Sequence, residues 1–265
     1  MYWLKEYHFD GLRIDALSNI IYWQGNKARG VNNNAVEFIR YMNKSVKEIY
    51  PSVMLIAEDS TSYPGVTKPG NEGGLGFDYK WDMGWMNDTL DYFRVHPYDR
   101  KEIYHKLTFS MMYYYGERYL LPLSHDEVVH GKATIVQKMN GQYEEKFPQA
   151  RALYMYMFAH PGKKLNFMGN EIGMLREWDE NRELDWSVLQ YERHQTLNNY
   201  IKVLQQLYCS HQSLYDDTRY WDGFEWVVVN DNEHSVFAYK RKSQDETLLV
   251  ILNFAYCEWP NYQFD

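Results

Sequence analysis

Apolar positions along the chain follow two alternating periods. Five short runs, each about the length of a strand, are separated by longer stretches with helical spacing. The first run, YHFDGLRID (residues 7–15), puts Phe9, Gly11, Arg13 and Asp15 on one face and Leu12 and Ile14 on the other. In the following NNAVEFIRYMNKSVKEIY, Val36, Ile39, Met42, Val46 and Ile49 recur every three or four residues, which predicts a helix behind an Asn cap. SVMLIAED (52–59) is almost continuously apolar, as a buried parallel strand is. A Pro- and Gly-rich loop (61–76) leads to a third run, FDYKWDM, and then to the helical GWMNDTLDYFRV. RYLLPLSHD (118–126) is the fourth run. KKLNFMGNE (163–171) is the fifth, and it follows the helical FPQARALYMYMFAH (147–160). A further helix, RHQTLNNYIKVLQQLYCSH, sets Leu197, Ile201, Leu204 and Leu207 on one stripe.

Strands alternating with helices predict βαβ units and a parallel sheet. Asp15 to Glu58 spans 43 residues, Glu58 to Asp126 spans 68, and Asp126 to Gly169 spans 43. A (β/α)8 TIM barrel averages roughly 31 residues per unit, so these intervals read as one, two and one units with enlarged loops. After about residue 214 the pattern changes: FEWVVVN, SVFAYKRK and TLLVILNF are β-rich runs separated by turn-like NDNEH and SQDE. The expected division is a barrel part, 1–213, and an all-β part, 214–265.

Bulk properties narrow the functional classes. A length of 265 residues suits one large α/β barrel or two smaller domains. A net charge of −8 argues against a polyanionic partner such as nucleic acid. No window approaches the roughly 18 consecutive apolar residues of a membrane span, so no membrane partner is expected. The N-terminus lacks a signal-peptide layout, and two cysteines, Cys209 and Cys257, are too few for a disulfide framework; a reducing cytoplasm is the expected location. Aromatic residues make up 17% of the chain. Tyr and Trp suit stacking on sugar rings, but composition alone favours an ordinary aromatic core.

Chemistry gathers at the strand ends. Asp15, Glu58 and Asp126 each close an apolar run, where a barrel collects side chains from different strands into one site. Singly, each reads as a cap or a loop ligand; three in successive runs point to a functional cluster. Retaining glycosyl transfer needs such a cluster, with a nucleophilic carboxylate and a protonated carboxyl about 5–5.5 Å apart. Arg13 shares a face with Asp15 and would keep it ionised, while the apolar MLIA before Glu58 would keep that carboxyl protonated. Spacing alone leaves open a purely structural Arg13–Asp15 pair.

Competing motifs fail. A zinc protease needs two histidines four apart on a helix, and His125 and His130 are five apart, with Pro122 just upstream. GNEGGLG lacks the Lys-Ser/Thr of a phosphate-binding loop, and no GxSxG or CxxC occurs.

Five segments in order, DGLRIDALS, LIAEDST, GLGFDYKWDMGWMNDTL, LPLSHDEVVHGK and HPGKKLNFMGNE, closely resemble the bacterial 1,4-α-glucan (glycogen) branching enzymes of glycoside hydrolase family 13, the α-amylase superfamily. The resemblance implies that Asp15 is the nucleophile, with Arg13 positioning it, and that Glu58 is the general acid/base. It implies that Asp126 binds sugar hydroxyls and stabilises the transition state, with His125 bonded to the same sugar. The implied reaction cuts an α-1,4 linkage and passes the chain to a 6-hydroxyl of glycogen or an amylose-like chain, with no metal or organic cofactor. A related family 13 hydrolase or transglycosidase, or a glucan-binding piece without activity, is the alternative.

In that family the nucleophile ends the fourth barrel strand. The chain is therefore expected to hold barrel strands 4–8 and the start of a C-terminal antiparallel β domain, truncated at both ends. Unpaired barrel edges invite pairing between copies, so self-association and weak activity are expected of the chain alone.

Overall fold

All five apolar runs form strands. In the computed structural model, which describes residues 1–216 and 220–264, they are β1 (Gly11–Ile14), β2 (Met54–Ala57), β3 (Tyr79–Trp81), β4 (Tyr119–Leu123) and β5 (Lys163–Asn166). Their hydrogen-bonding order is β1-β2-β3-β4-β5. Gly11 to Ile14 lie beside Met54 to Ala57, Ile56 beside Tyr79 and Lys80 beside Tyr119, each pair of strands parallel. Spatial order equals chain order, as successive β-helix-β crossovers require. The predicted spacing of one, two and one units holds, with β3 as the strand between Glu58 and Asp126. Residues 217–219 and 265, which the sequence assigns to the β-rich part, lie outside the described residues.

The chain divides into two compact units. The first comprises Met1–Gly84 and Tyr113–Leu120; the second takes Trp85–Met112 and everything from Leu121 onward. In the first, helix α1 (Asn33–Ile49) starts at Asn32, whose side chain accepts the amide of Ala35 at 3.3 Å. Its buried face, Val36, Ile39 and Val46, belongs to one apolar cluster with Leu55, Ala57, Leu75 and Phe77. The sequence expected Ile49 on that face, but Ile49 is exposed and Asn43 is buried instead. The reason is a hydrogen bond: Asn43 Nδ2 donates to the Leu75 carbonyl at 2.9 Å, so a polar group fastens the 61–76 loop to the helix. Glu117 fastens the same loop, accepting the amides of Val66 and Thr67 at 2.8 and 2.7 Å. Gly74 is obligatory there, because a Cβ would sit 1.9 Å from the Lys68 carbonyl oxygen.

The second unit holds most of α2 (Met83–Arg94), together with α3 (Ile135–Lys138), α4 (Tyr143–Ala159) and α5 (Glu192–Ser210). On α5, Leu197, Ile201 and Leu204 are buried as expected, but Leu207 is exposed. His194 extends the buried stripe at the other end, its Nδ1 2.9 Å from the Ile172 carbonyl. The β-rich region forms the antiparallel sheet β6 (Phe224–Asp231), β7 (Val236–Lys242) and β8 (Thr247–Asn253). Arg100, almost wholly buried, donates to the carbonyls of Val95, Phe93 and Phe254 at 3.2 Å. Among the described residues no helix is long and apolar enough to cross a membrane.

Candidate active site

Asp15 and Glu58 follow directly on β1 and β2, and the register of those strands brings them side by side. The Glu58 amide donates to the Ile14 carbonyl at 3.0 Å, and the Leu17 amide donates to the Glu58 carbonyl at 2.8 Å. Between those two bonds, the Ala16 amide donates to Glu58 Oε2 at 2.6 Å. Ala16 has a φ of 44°, in the left-handed region, at the turn that leaves β1.

Arg13 joins the pair. Its Nη2 donates to Asp15 Oδ1 and lies 3.6 Å from Glu58 Oε2. The Arg13 guanidinium sits over the Trp81 ring, 4.3 Å from its centroid, so β3 fixes the plane from which it reaches both acids. The Asp15 side chain is 77% exposed and that of Glu58 18%. The first is open to solvent; the second is sheltered. The apolar run before Glu58 is thus not its whole environment, since an amide and a guanidinium also face the same oxygen.

One step beyond Glu58 lies a group the sequence did not disclose. Asp59 is buried and pairs with Lys80 of β3, Nζ to Oδ2, at 2.7 Å; their side chains are 0% and 6% exposed. Lys80 also donates to the Thr61 carbonyl at 2.7 Å, and Asp59 Oδ1 accepts the Thr61 amide at 3.0 Å. A lone Lys inside the apolar FDYKWDM was the available signal, since a buried ammonium needs a partner.

His125 and Asp126 belong to the second unit, in a short 3-10 turn (His125–Val128) after β4. His125 Nε2 is 3.3 Å from Asp126 Oδ1. Its ring is bounded by Phe167 and Trp178, at centroid distances of 5.8 and 6.2 Å. The loop that follows is held from three sides. Lys132 Nζ donates to the Asp126 carbonyl at 2.7 Å. Lys138 Nζ donates to the carbonyls of Glu127, Lys132 and Ala133. Glu177 accepts the amides of Gly131 and Ala133 at 2.9 and 2.6 Å, and these bonds hold its carboxyl below the usual carboxylate range. Burial first, and then the charge of Arg94, pull Lys138 down to about 8. His130 is exposed, in the left-handed region at φ 58°.

The structure therefore brings Arg13, Asp15 and Glu58 together in the first unit and His125 and Asp126 together in the second. Trp81, Lys138, Glu177 and Trp178 were missed. Trp81, Glu177 and Trp178 act from segments remote in sequence, and Lys138, only five to eleven residues past the carbonyls it holds, has no local pattern to mark it.

Residues 1–255 match the model of the alpha amylase catalytic domain. The chain is 46% identical over 256 residues to the 1,4-alpha-glucan branching enzyme GlgB of Geobacillus stearothermophilus, covering 96% of this chain and 40% of that protein. It is 45% identical over 265 residues to the GlgB of Bacillus caldolyticus, covering 99% and 40%. The chain thus spans about 40% of the length of these curated relatives. Among solved structures, a debranching enzyme of Nostoc punctiforme superposes with a TM-score of 0.66 at 17% identity, covering 96% of this chain and 49% of the other. The alpha-amylase of Geobacillus thermoleovorans does so at 0.64 and 18%, covering 96% and 50%. At such identities the likeness is one of fold, and it agrees with the expected partial (β/α)8 barrel.

Proposed function

Because the chain belongs to the alpha-amylase family by its catalytic domain, we propose that it carries the nucleophile and acid/base of a glucan branching reaction in glycogen biosynthesis. The observation that carries this reading is the shared guanidinium nitrogen of Arg13, which touches Asp15 and lies 3.6 Å from Glu58. One nitrogen between two carboxylates supports the close separation of a retaining pair, about 5–5.5 Å, over the roughly 6.5–9.5 Å of an inverting one. The identity of 46% to a branching enzyme favours transfer over hydrolysis.

Asp15 Oδ1 is engaged by Arg13, so Oδ2 attacks the anomeric carbon of an α-1,4-linked glucose. The C1–O4 bond breaks as Glu58 delivers its proton to the departing oxygen. That proton rides on Oε1, because Oε2 already accepts the Ala16 amide. In the second half, Glu58 takes the proton of an acceptor 6-hydroxyl, which attacks C1 and releases Asp15. Two inversions leave an α-1,6 branch. By its resemblance to the branching enzymes, the pair Asp126 and His125 is assigned to sugar hydroxyls, and Phe167 and Trp178 bound the His125 ring.

The test is product analysis after incubating the purified chain with amylose. New α-1,6 linkages support the reading; shortened chains without branches move it to a hydrolase. Sedimentation of the same sample examines self-association, proposed because β1 and β5 are the end strands of the sheet. A strictly monomeric species would remove that part. We place the chain in the cytoplasm, in keeping with two exposed free cysteines; cell fractionation checks this. The division at 213/214 is retained because all three antiparallel strands follow it, and proteolysis that cuts elsewhere first would move it.

Lys138 adds a pH dependence. As an ammonium it offers three donors to three carbonyls; above about pH 8 it offers two. The loop behind Asp126 then loosens, and kcat is expected to fall on an alkaline limb near pH 8. Lys138→Arg should remove that limb, and Lys138→Met should lower kcat by roughly 10²-fold, as small misplacements of catalytic groups do. Stability moves the other way. With the native value lowered to about 8 from an ordinary 10.5, the unfolded chain keeps a proton that the native one has lost. Between those values this group makes the fold more stable as pH rises. A limb unchanged in Lys138→Arg, or one that tracks unfolding, would remove Lys138 from this role.

A further inference from the structure

In the first unit, α1 and the 61–76 loop enclose a hollow of about 640 Å³, within the size range of small-ligand sites. Tyr41, Asn43, Lys44 and Lys47 line it from the helix, and Gly70 and Leu75 from the loop. At Gly70 an added Cβ would meet nothing within 4 Å, so that wall is bare backbone with open space before it. None of the residues around Asp15, Glu58 or Asp126 takes part in the lining.

The lining is basic in a chain whose net charge is −8. Arg40, Lys44 and Lys47 stand there against one acid among the described residues, Glu37. Two of these cations are held in place. Arg40 Nε and Nη2 donate to the carbonyls of Gly74 and Gly73 at 2.9 and 2.7 Å, and Nη1 donates to Glu37 Oε1 at 2.7 Å. Lys47 Nζ donates to the Val53 carbonyl at 2.7 Å and lies 2.7 Å from Asp78 Oδ2. Each keeps an N–H that these bonds do not use. Lys44 is different. Its side chain is 75% exposed, and the carboxylate paired with it, Glu48, stands at 3.8 Å, beyond hydrogen-bond distance. A phosphate group would offer these donors several charged acceptors at once.

Two further groups narrow the rest of the ligand. Asn43 is 1% exposed, and its Nδ2 is spent on the Leu75 carbonyl, while its Oδ1 is buried without a hydrogen-bond partner. An unpaired buried acceptor is costly, and a donor on the ligand would relieve it. Tyr41 is 72% exposed, which a role in core packing does not explain, and it presents a flat face. A sugar ring would need partners for several hydroxyls. The lining offers few: the Asn43 oxygen, the Asn71 amide, and Glu37, which Arg40 already holds. A flat heterocycle bearing an amine needs fewer, and with a phosphate attached it meets all of these conditions.

We infer that this hollow binds a nucleotide, with its base on Tyr41, its amine toward Asn43 and its phosphates on Lys44, Lys47 and Arg40. The inference goes beyond the branching reading and does not depend on it. A nucleotide there would join α1 to the loop that follows Glu58 and Asp59. A small charged molecule would thereby tie down that loop without occupying the catalytic groups.

The purified chain should be titrated calorimetrically with metal-free ADP, first at low salt and then with added salt. Saturable binding that weakens as salt rises is expected. Adenosine, which lacks the phosphates, and ribose 5-phosphate, which lacks the base, should each bind at least about tenfold more weakly. Lys44→Glu and, separately, Tyr41→Ala, both at exposed positions, should weaken ADP binding at least about tenfold and about threefold. Lys202→Glu makes the same charge change at an exposed position of the second unit and should leave binding unaltered. No saturable binding of ADP, ribose 5-phosphate binding as tightly as ADP, or affinity unchanged in both Lys44→Glu and Tyr41→Ala overturns the inference. The branching reading fails independently, through the absence of α-1,6 product. Asp15→Asn, which removes that product, should leave ADP binding intact.

Discussion

Asp15→Asn is expected to lower glycosidic bond cleavage by about 10⁴-fold or more in any assembly where the chain is active, with KM little changed. Asn has the shape of Asp but cannot form the covalent glucosyl intermediate. Arg13 still has the Trp81 face and Glu58 beside it, so the loss should be chemical rather than structural. A second variant sharpens the result. With Asp15→Gly and added azide, the azide takes the nucleophile's side while Glu58 still protonates the leaving oxygen. The product should be a glucosyl azide of inverted configuration. Near-normal turnover in Asp15→Asn, or azide without effect, would assign the nucleophile elsewhere.

The largest stability effect is expected at Lys80. Replacing it with Met leaves Asp59 buried without its counter-ion, a situation that costs about 3–5 kcal/mol. For a chain of this size each kcal/mol lowers Tm by roughly 2–4 °C, so thermal melting should drop by roughly 6–20 °C. The double variant Lys80→Met/Asp59→Leu should recover most of that loss, because two apolar groups of suitable volume need no pairing. Losses that simply add in the double variant would mean that the two residues are not coupled. Activity should fall together with stability in the single variant, because Asp59 is the neighbour of Glu58 on the same strand end.

What the sequence disclosed, and what it hid, follow from the range of each interaction. Strand and helix periods are local, so all five parallel strands and the later antiparallel hairpins were legible, as were the positions of Asp15, Glu58 and Asp126 at strand ends. Periodicity says nothing of what stands opposite, and so Ile49 and Leu207 were placed inside while Asn43 and His194 were overlooked. A polar residue takes a buried place when a carbonyl across the space accepts its proton, as those of Leu75 and Ile172 do. The clasp of Lys138 and Glu177 on the 127–133 loop, and the ion pair of Asp59 and Lys80, join segments with no shared local pattern. Arg13 was read as a partner of Asp15 alone. That it also lies close to Glu58 depends on the β1–β2 register, which only the fold supplies.

The Ala16 amide on Glu58 has a bearing on how this protein can be altered. Acid and nucleophile are separated by a single backbone residue and a hydrogen bond, not by two independent rotamers. Thermal motion of one strand end should carry both carboxyls with it, preserving their spacing while the surroundings vary. In recombination or library work, positions 13–16 and 58 therefore form one inheritable block, to be exchanged whole. An insertion anywhere inside 13–16 would be more damaging than many substitutions around it.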